Sequence, residues 1–366
     1  MTLKEIAQFR KDLLKWFETY QRKLSWRETE NPYHIWVSEV MLQQTQVKKV
    51  LEYYQKFVDK FPTLWHLAEA DLQDVLKIWE GLGYYARARN LHKAAKLVTG
   101  EMDGKVPSDY QQFRKLPGVG DYIAAAVQSI AFDSAYAAVD GNVKRVFARL
   151  FLIDSPINQS ASLKIFQEKA DLLLDGNAPG HFNQAMMELG ATVCRPKSPT
   201  CIVCPVQTFC RAFHTARQEK FPVRVKAKPT PEYHLAVGVV HRNDNILITQ
   251  RKPDGLLGGL WEFPGGKIDE GETAEAACVR WMQEGVNLSV EITEFLTRVR
   301  HAYTHFKIVV DVFRCDYQSG EVVLNGPVDY RWICVDEIDQ YPFPRANHKF
   351  IPLLKSEKIN EEANFS

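Results

Sequence analysis

Four of the seven cysteines in the chain crowd into one short stretch, as Cys194, Cys201, Cys204 and Cys210. Their spacing is C-x6-C-x2-C-x5-C, with a single CxxC pair and unequal outer gaps. Four thiolates can ligate either a tetrahedral zinc ion or a [4Fe–4S] cube. Because the first residues are polar and lack the apolar core of a signal peptide, we interpret the cluster as metal ligands rather than disulfides.

A single carboxylate, Glu39, stands in the otherwise apolar and amide-rich residues 36–45, WVSEVMLQQT. Apolar neighbours on a helix would remove this group from water, which raises a carboxyl pKa and suits a proton donor. A surface glutamate on a helix is the ordinary alternative, and this segment alone does not decide between the two.

A glycine-bracketed turn, LPGVGDY at residues 116–122, precedes a predicted helix of small residues at 123–130. Gly118 and Gly120 can leave backbone N–H groups open at the start of that helix, where they would bind a phosphate without reading sequence. A tight turn with no function is the alternative. Asp140 follows in AVDGNV, and an aspartate at the start of a helix is commonly an N-cap.

Taken together, these motifs resemble the endonuclease III-like superfamily of helix–hairpin–helix DNA glycosylases. The resemblance implies a catalytic role for Asp140 and favours a [4Fe–4S] cluster over zinc. It also implies an all-α domain of two helical subdomains. Bifunctional members carry a lysine at the position of Tyr122 and form a Schiff base with the sugar, which a tyrosine cannot do. We therefore expect a monofunctional glycosylase.

Residues 36–45 and 79–90, the latter WEGLGYYARARN, resemble the MutY family of adenine DNA glycosylases. The resemblance implies that Glu39 protonates adenine, and that Tyr122 and Asn142 help to position Asp140 and the sugar. It places Arg27 and Gln184 in the base pocket. It also implies DNA contacts, including wedging into the base stack beside the mispair, by Gln44, Thr45, Leu82 and Tyr84. A helix-capping loop with packed tyrosines is the alternative for residues 79–90.

A degenerate Nudix box begins at Gly266 and runs through Glu272 and Arg280. Trp281 and Gly285 replace two acids of the active pattern G-x5-E-x7-R-E-x-x-E-E, which should cripple Mg²⁺ binding and hydrolysis. An active hydrolase with a drifted motif is the alternative. The MutY C-terminal domain is a similar module, and HAYTHF at 301–306 resembles its Phe-Ser-His loop. That likeness implies recognition of 8-oxoguanine by Tyr303, Thr304 and His305, whereas ordinary packing would explain the aromatic–histidine pair equally well.

The elements that must position these residues change in kind along the chain. Apolar residues recur at three- and four-residue intervals from position 3 to about 213, which predicts helices including 47–61, 71–79, 86–99 and 162–174. Short β-branched runs at 235–240, 245–250, 306–313 and 329–335 then predict strands, with one helix at 273–283. We predict a helical domain at 1–225 with the cysteine loop at 194–210, a linker at 226–232, and an α+β Nudix-like domain at 233–355. The polar tail, 357–366, is expected to fray.

The net charge of +1 conceals an asymmetry between the two halves. Residues 1–230 carry 32 Lys and Arg against 24 Asp and Glu (net +8), and the remainder 14 against 21 (net −7). A basic first half is consistent with a polyanionic partner. No run is apolar enough for a membrane span. We expect a cytoplasmic, nucleoid-associated monomer without a membrane partner.

We therefore predict a monofunctional DNA glycosylase that removes adenine mispaired with 8-oxoguanine or guanine in double-stranded DNA. Three alternatives remain open. The first is a glycosylase for thymine or uracil opposite guanine, which the Nudix-like domain and Glu39 argue against. The second is a binding module that only marks 8-oxoguanine mispairs, which would need neither Glu39 nor Asp140. The third is a Nudix hydrolase of free oxidised nucleotides, which Trp281 and Gly285 argue against.

Overall fold

The computed structural model describes residues 1–226 and 229–356. The predicted fraying of 357–366 and two positions of the predicted linker, 227 and 228, lie outside the described residues. Among the residues described, no helix is both long and apolar enough to cross a membrane.

The first half of the chain is helical, as predicted. Its twelve α-helices are α1 Leu3–Tyr20, α2 Pro32–Leu42, α3 Val47–Lys60, α4 Leu64–Glu69, α5 Leu72–Trp79, α6 Ala86–Glu101, α7 Tyr110–Arg114, α8 Asp121–Phe132, α9 Gly141–Phe151, α10 Leu163–Leu173, α11 Pro179–Thr192 and α12 Arg211–His214, counted over the described ranges. Several begin where the sequence offers a cap: Thr2 forms a capping box for α1, and Asn31 caps α2 ahead of Pro32. Side-chain caps satisfy N–H groups that would otherwise lack partners, so they fix where each helix starts.

A buried apolar core joins α1, α9, α10 and α11. Phe9 and Leu13 from α1 meet Phe147, Phe166 and Phe182, and none of these five side chains is exposed to solvent. A second packing contact sets α2 against α8. Burial of this kind contributes roughly 1.5–3 kcal/mol for each large apolar side chain, so the core holds rigidly the helix ends at which the polar groups sit.

The second half carries a mixed sheet, as predicted, and the predicted helix at 273–283 is present at Ala274–Val286, while residues 351–356 are also helical. The strands are β1 Glu232–Arg242, β2 Asn245–Gln250, β3 Trp261–Glu262, β4 Gly265–Lys267, β5 Ser289–Ala302, β6 Lys307–Ser319 and β7 Asp329–Cys334. The order is β3-β2-β1-β6-β5, with β4 paired to β1 and β7 paired to β2. Only β1 and β6 run parallel among the described pairs.

The sheet has apolar side chains on both faces. Val240 and its neighbours pack against α13, Ala274–Val286, whereas Val239 points to the other face and packs with Phe343 and Phe350. This alternation is the period of two expected of a strand. Cys278 and Cys315 are fully buried in the core beneath α13, whereas Cys334 is partly exposed.

The chain divides into two compact units that do not follow the order of the sequence. One unit contains Met1–Glu69 and Asn90–Ala227, and the other contains Ala70–Arg89 and Lys228–Ser366. Helix α5 and the turn after it therefore belong to the unit that carries the sheet, although the periodicity of the sequence grouped them with the other helices.

Candidate active site and DNA-contacting residues

Glu39 lies on α2, a helix that is buried on every side. The residue is 4% exposed, so the prediction that it is withdrawn from water is confirmed. Burial, with a smaller contribution from the negative charge of Asp140, raises the pKa of Glu39 to about 7. The Tyr122 hydroxyl opposes that rise by donating a hydrogen bond of 2.6 Å to Glu39 Oε2. Near neutral pH this carboxyl group is poised to give or take a proton.

Asp140 is the N-cap of α9. Its Oδ1 accepts a hydrogen bond from the Val143 N–H at 2.7 Å, and its Oδ2 accepts one from Asn142 Nδ2 at 2.7 Å. Burial raises the pKa of Asp140, while these hydrogen bonds and the charge of Arg145 lower it. The capping role considered from the sequence is therefore present, and it fixes the direction of the carboxylate.

The Asp140 environment extends through Asn142 to the loop that holds the cysteines. Arg145 is buried and donates to Asn142 Oδ1 at 2.8 Å, to the Gly190 carbonyl at 2.7 Å and to the Cys194 carbonyl at 2.8 Å. The lack of a side chain at Gly190 lets α9 and α11 approach closely, since an added Cβ atom there would lie 2.6 Å from Asn142 Cβ. Bulk at position 190 would therefore push Asn142 away from Asp140.

A cavity of about 120 Å³ joins these groups within the helical unit. Tyr122 donates its hydrogen bond to Glu39 and not to Asp140, whereas Asn142 donates to Asp140 as expected. The polar side chains that line the cavity are Arg22, Arg27, Ser38, Glu39, Thr45, Tyr122, Asp140, Asn142, Gln184 and Glu188. Both residues assigned to the base pocket, Arg27 and Gln184, line this cavity, and so does Thr45.

Glu188 is a buried carboxylate of the cavity wall that the sequence reasoning missed. It accepts hydrogen bonds at 2.7 Å from both Nε and Nη2 of Arg22, and at 2.8 Å from Arg27 Nη2. These arginines hold the pKa of Glu188 down against the effect of burial. Its setting in the apolar sequence AMMELG was an available signal, of the same kind that singled out Glu39.

The glycine-bracketed turn leads into α8 as predicted. Gly118 has a φ of +78°, and a Cβ atom there would lie 2.8 Å from Asn90 Cβ. Gly120 is the N-cap of α8 and offers no side chain to its N–H groups. The first turn therefore keeps donors for another partner, and an anion is the partner that a helix N-terminus favours.

The four clustered cysteines follow α11 in a loop that returns to α12. Each is partly buried, and mutual charge effects raise the pKa of Cys201, Cys204 and Cys210 in addition to the larger effect of burial. Arg149 is 2% exposed, and its Nη1 donates to Cys194 Sγ at 3.2 Å and to the Arg195 carbonyl at 2.7 Å. Within the described ranges, no three His, Cys, Asp or Glu side chains are placed to hold a metal ion.

The residues expected to meet the lesion differ in exposure. Gln44 is exposed and has a φ of +53°, whereas Leu82 is 5% exposed and so does not present its side chain to DNA in this structure. Tyr84 has a φ of +52°, and its hydroxyl shares a 2.6 Å hydrogen bond with Thr304 Oγ1. Gln44 and Tyr84 thus occupy a left-handed conformation that is uncommon for side chains of this size.

The loop at 301–306 presents two of its three predicted residues to solvent. Thr304 and His305 are exposed, and His305 lines a cavity of about 1080 Å³ in the unit that carries the sheet. Tyr303 is half-buried and stacks on Phe306 with ring centroids 4.7 Å apart. Burial raises the pKa of Tyr303 to about 12. In this structure the Tyr303 ring packs within its own unit and is not a free wedge.

The degenerate Nudix box has lost its acidic cluster. Arg280 donates at 2.7 and 2.8 Å to the two carboxylate oxygens of Glu272 and contacts Glu284 at 3.4 Å. The hydrogen bonds from Arg280 lower the pKa of Glu272 to about 2. The Trp281 ring covers Gly266, where a Cβ atom would lie 2.1 Å from Trp281 Cε2. The remaining acids are therefore neutralised by an arginine rather than gathered for a cation.

Comparison with known proteins reports on both halves. Residues 37–171 match the model of the HhH-GPD superfamily base excision DNA repair protein, and residues 236–353 match the NUDIX domain model. The adenine DNA glycosylase of Rattus norvegicus is 34% identical over 91% of this chain and 75% of its own length.

Solved structures resemble the helical half. A thermostable thymine-DNA glycosylase is 30% identical, with a TM-score of 0.53 over 58% of this chain and 98% of its own. Endonuclease III in a non-covalent DNA complex is 25% identical, with a TM-score of 0.51 over 59% of this chain and 98% of its own.

Proposed function

The chain belongs to the family of adenine DNA glycosylases and is a DNA-binding glycosylase of base excision repair, and on that premise we propose its substrate and its catalytic residues. The substrate is adenine opposite 8-oxoguanine or guanine in duplex DNA, and the bond hydrolysed is the N-glycosidic bond. The observation that carries the proposal is one cavity in which a buried acid with a pKa of about 7, Glu39, faces a carboxylate held by hydrogen bonds, Asp140.

Glu39 is the proton donor in this mechanism. The adenine leaves the base stack and enters the cavity, and protonated Glu39 transfers its proton to adenine N7. The C1′–N9 bond then breaks with both electrons moving to the base, which leaves as neutral adenine. Tyr122 holds the Glu39 carboxyl by its 2.6 Å hydrogen bond and so keeps the donor in one orientation.

Asp140 is the group that stabilises the positive charge left on the sugar. Asn142 and the Val143 N–H direct its carboxylate and favour the ionised form. Glu39, now a carboxylate, accepts a proton from water as the water oxygen bonds to C1′, which completes the hydrolysis. Two carboxyl groups in different environments thus take opposite roles in one site.

The absence of a lysine at position 122 supports a reaction that stops at base removal. Glu39 and Asp140 supply a proton and a charge, and neither forms an imine with the sugar. The proposal is therefore a monofunctional glycosylase, for which strand cleavage needs a later alkaline step.

Arg27 and Gln184 are assigned to recognition of the base. Arg27 is held in place by Glu188, and its positive charge lowers the pKa of Glu39. Gln184 presents an amide, which can both donate and accept hydrogen bonds at the edge of a purine. Arginine, amide and Glu39 together give the cavity donors and acceptors that match adenine.

Cys194, Cys201, Cys204 and Cys210 are assigned as the ligands that would hold a [4Fe–4S] cluster. Four thiols on one partly buried loop interact electrostatically with one another, and the Arg149 guanidinium lies beside the Cys194 sulfur, where it would offset negative charge. The cluster would give the loop a fixed shape. Hydrolysis of a glycosidic bond transfers no electrons, so the steps above depend on the protein side chains.

The unit that carries the sheet is assigned to recognition of 8-oxoguanine, through Thr304 and His305 with Tyr303 behind them. Gln44, Thr45 and Tyr84 are assigned to the DNA strand beside the mispair, and Gly118 and Gly120 to a phosphate. We extend the proposal to a cytoplasmic protein that acts as a monomer.

The experiment is single-turnover excision on labelled duplexes containing A·8-oxoG, A·G, G·T, G·U or 8-oxoG·C, each with and without alkali. The expected result is cleavage of the adenine strand alone, and only after alkali. Cleavage of G·T would instead assign the reaction of the thymine-DNA glycosylase that the helical half resembles. Binding of A·8-oxoG without excision would leave only the damage-marking module.

A further inference from the structure

One face of α5 is given over to hydrogen bonds with the C-terminal half. Gln73, Lys77 and Glu80 are spaced as i, i+4 and i+7 and therefore share a face. Gln73 Nε2 donates to the Gly259 carbonyl at 3.0 Å, and Trp261 Nε1 donates to Gln73 Oε1 at 3.0 Å. Lys77 Nζ donates to the Tyr341 carbonyl at 3.0 Å.

Glu80 is the junction of these contacts. Its Oε1 accepts from the Phe343 N–H at 2.7 Å and lies 2.9 Å from His348 Nε2, while its Oε2 accepts from Lys77 Nζ at 2.7 Å. Burial by itself would raise the pKa of Glu80, but the hydrogen bonds from His348, Lys77 and Phe343 outweigh it and lower the pKa. The side chain is therefore an ionised acceptor joined to three points of the same unit.

Arg89 fixes the other end of the segment. It is 8% exposed, and its Nη1 and Nη2 donate to the carbonyls of Gly258 at 2.8 Å and Gly255 at 3.2 Å. The segment between Glu80 and Arg89 is thus anchored at both ends. Arg89 binds residues between β2 and β3, and Glu80 binds residues that follow β7.

Tyr84 lies between these two anchors in a conformation that needs support. Gly81 and Gly83 have φ angles of +88° and +85°, and Tyr84 follows with +52°. The Arg87 guanidinium lies 5.3 Å from the centre of the Tyr84 ring. The Tyr84 hydroxyl shares a 2.6 Å hydrogen bond with Thr304. Because water competes for a hydrogen bond between exposed groups, this bond alone does little to hold the Tyr84 side chain in place.

We propose that Glu80 is a positioning residue for mispair selectivity, which holds Tyr84 against Thr304 so that the two side chains meet the mispair as one preset pair. The inference rests on the proposed function, because it assigns a support to the residues that would read 8-oxoguanine. A site that is loose by about 1 Å can lose roughly 10²-fold in rate. Glu80 does not line the cavity that contains Glu39 and Asp140, so its removal should alter recognition of the mispair and leave the catalytic groups in place.

The test compares single-turnover excision from A·8-oxoG and from A·G in wild type, Glu80→Ala and Glu80→Gln. In Glu80→Ala the ratio of the two rate constants is expected to fall at least fivefold, with the A·G rate constant within twofold of wild type. Glu80→Gln keeps an acceptor for the Phe343 N–H and should restore part of the ratio. Asp74→Asn, on an exposed position of the same helix, is the matched control and should leave the ratio unchanged.

A double-mutant cycle with Tyr84→Phe separates positioning from general destabilisation. Tyr84→Phe loses the hydroxyl that meets Thr304 and should lower the ratio in wild type, yet add little in the Glu80→Ala background. Independent, multiplying effects would overturn the inference, and so would an unchanged ratio in Glu80→Ala. A wild-type protein that excises adenine from neither duplex would instead contradict the proposed function before any variant is considered, and equal excision from both would contradict the assigned recognition of 8-oxoguanine.

Discussion

The cavity of the helical unit and the degenerate Nudix box contain the same residue types, carboxylates and arginines, in opposite arrangements. In the cavity, burial raises the pKa of Glu39 and of Asp140. In the box, hydrogen bonds from Arg280 lower the pKa of the partly exposed Glu272 to about 2. A carboxyl group can donate a proton near pH 7 when burial outweighs its interactions with hydrogen-bond donors and cations, and it stays ionised when an arginine binds both of its oxygens. The two regions show that residue type does not define an acidic site until its partners are known.

The largest expected effect is at Glu39. Glu39→Gln keeps the shape and removes the transferable proton, so excision from A·8-oxoG should fall by roughly 10²–10⁴-fold, the range of general acid catalysis. Binding of the same duplex, measured by titration, should change little. Loss of binding equal to the loss of excision would contradict the assignment of Glu39 to chemistry.

A third carboxylate sharpens the comparison, because Glu188 lies in the cavity yet is paired like the acid of the box. Glu188→Gln leaves two guanidiniums facing a neutral amide, so the free energy of unfolding should fall by about 2–3 kcal/mol; Arg22 is partly exposed, which lessens the loss. Urea denaturation gives the value, and Glu168→Gln, at an exposed position of α10, serves as its control. A free energy of unfolding equal to that of wild type would show that pairing of Arg22 and Arg27 with Glu188 does not stabilise the fold.

Tyr122→Phe should have a smaller effect on excision, because it keeps Glu39 as the proton donor and changes the pKa of that carboxyl group. The Tyr122 hydrogen bond lowers the pKa of Glu39, so its loss should raise that pKa and move the alkaline limb of the excision rate upward in pH. We expect a decrease of about tenfold at neutral pH as the donor loses its orientation. A limb that moves to lower pH would contradict the geometry.

The smallest effect is predicted for the box. Glu272→Gln removes a partly exposed ion pair with Arg280 that lies outside the catalytic cavity, and excision should stay within twofold of wild type. Incubation with a nucleoside triphosphate and Mg²⁺ should release no pyrophosphate or phosphate from either protein. Hydrolysis by the wild-type protein that is lost in the variant would show that the degenerate Nudix box retains hydrolase activity.

The sequence predicted features that arise from local pattern. The burial of Glu39 followed from apolar neighbours on one helix, and the start of α9 at Asp140 followed from its capping chemistry. Strand β2 matches its predicted limits because both of its faces are covered and its central residues form a short apolar run between polar ends. Strand β5 was missed because it lies at the end of the sheet and most of its side chains are exposed, so it lacks an apolar alternation.

The features that could not be predicted depend on partners far away in the chain. Tyr122 meets Glu39 across 83 positions, and Arg27 meets Glu188 across 161. Helix α5 has an ordinary amphipathic sequence, and only the hydrogen bonds of Gln73, Lys77 and Glu80 show that it packs with the sheet-bearing unit. Side-chain contacts between distant segments produce no fixed residue spacing, so they cannot be recognised in a single sequence.

The most direct test of the central claim is the pH dependence of single-turnover adenine excision from A·8-oxoG between pH 5 and 9. The proton donor is Glu39, whose pKa is raised to about 7, so the rate constant should decline above that pH and approach a tenfold loss for each further unit. A plateau followed by this decline would support a desolvated carboxyl group as the acid. A rate constant that stays level from pH 7 to 9, in protein that remains folded and bound to DNA, would contradict it.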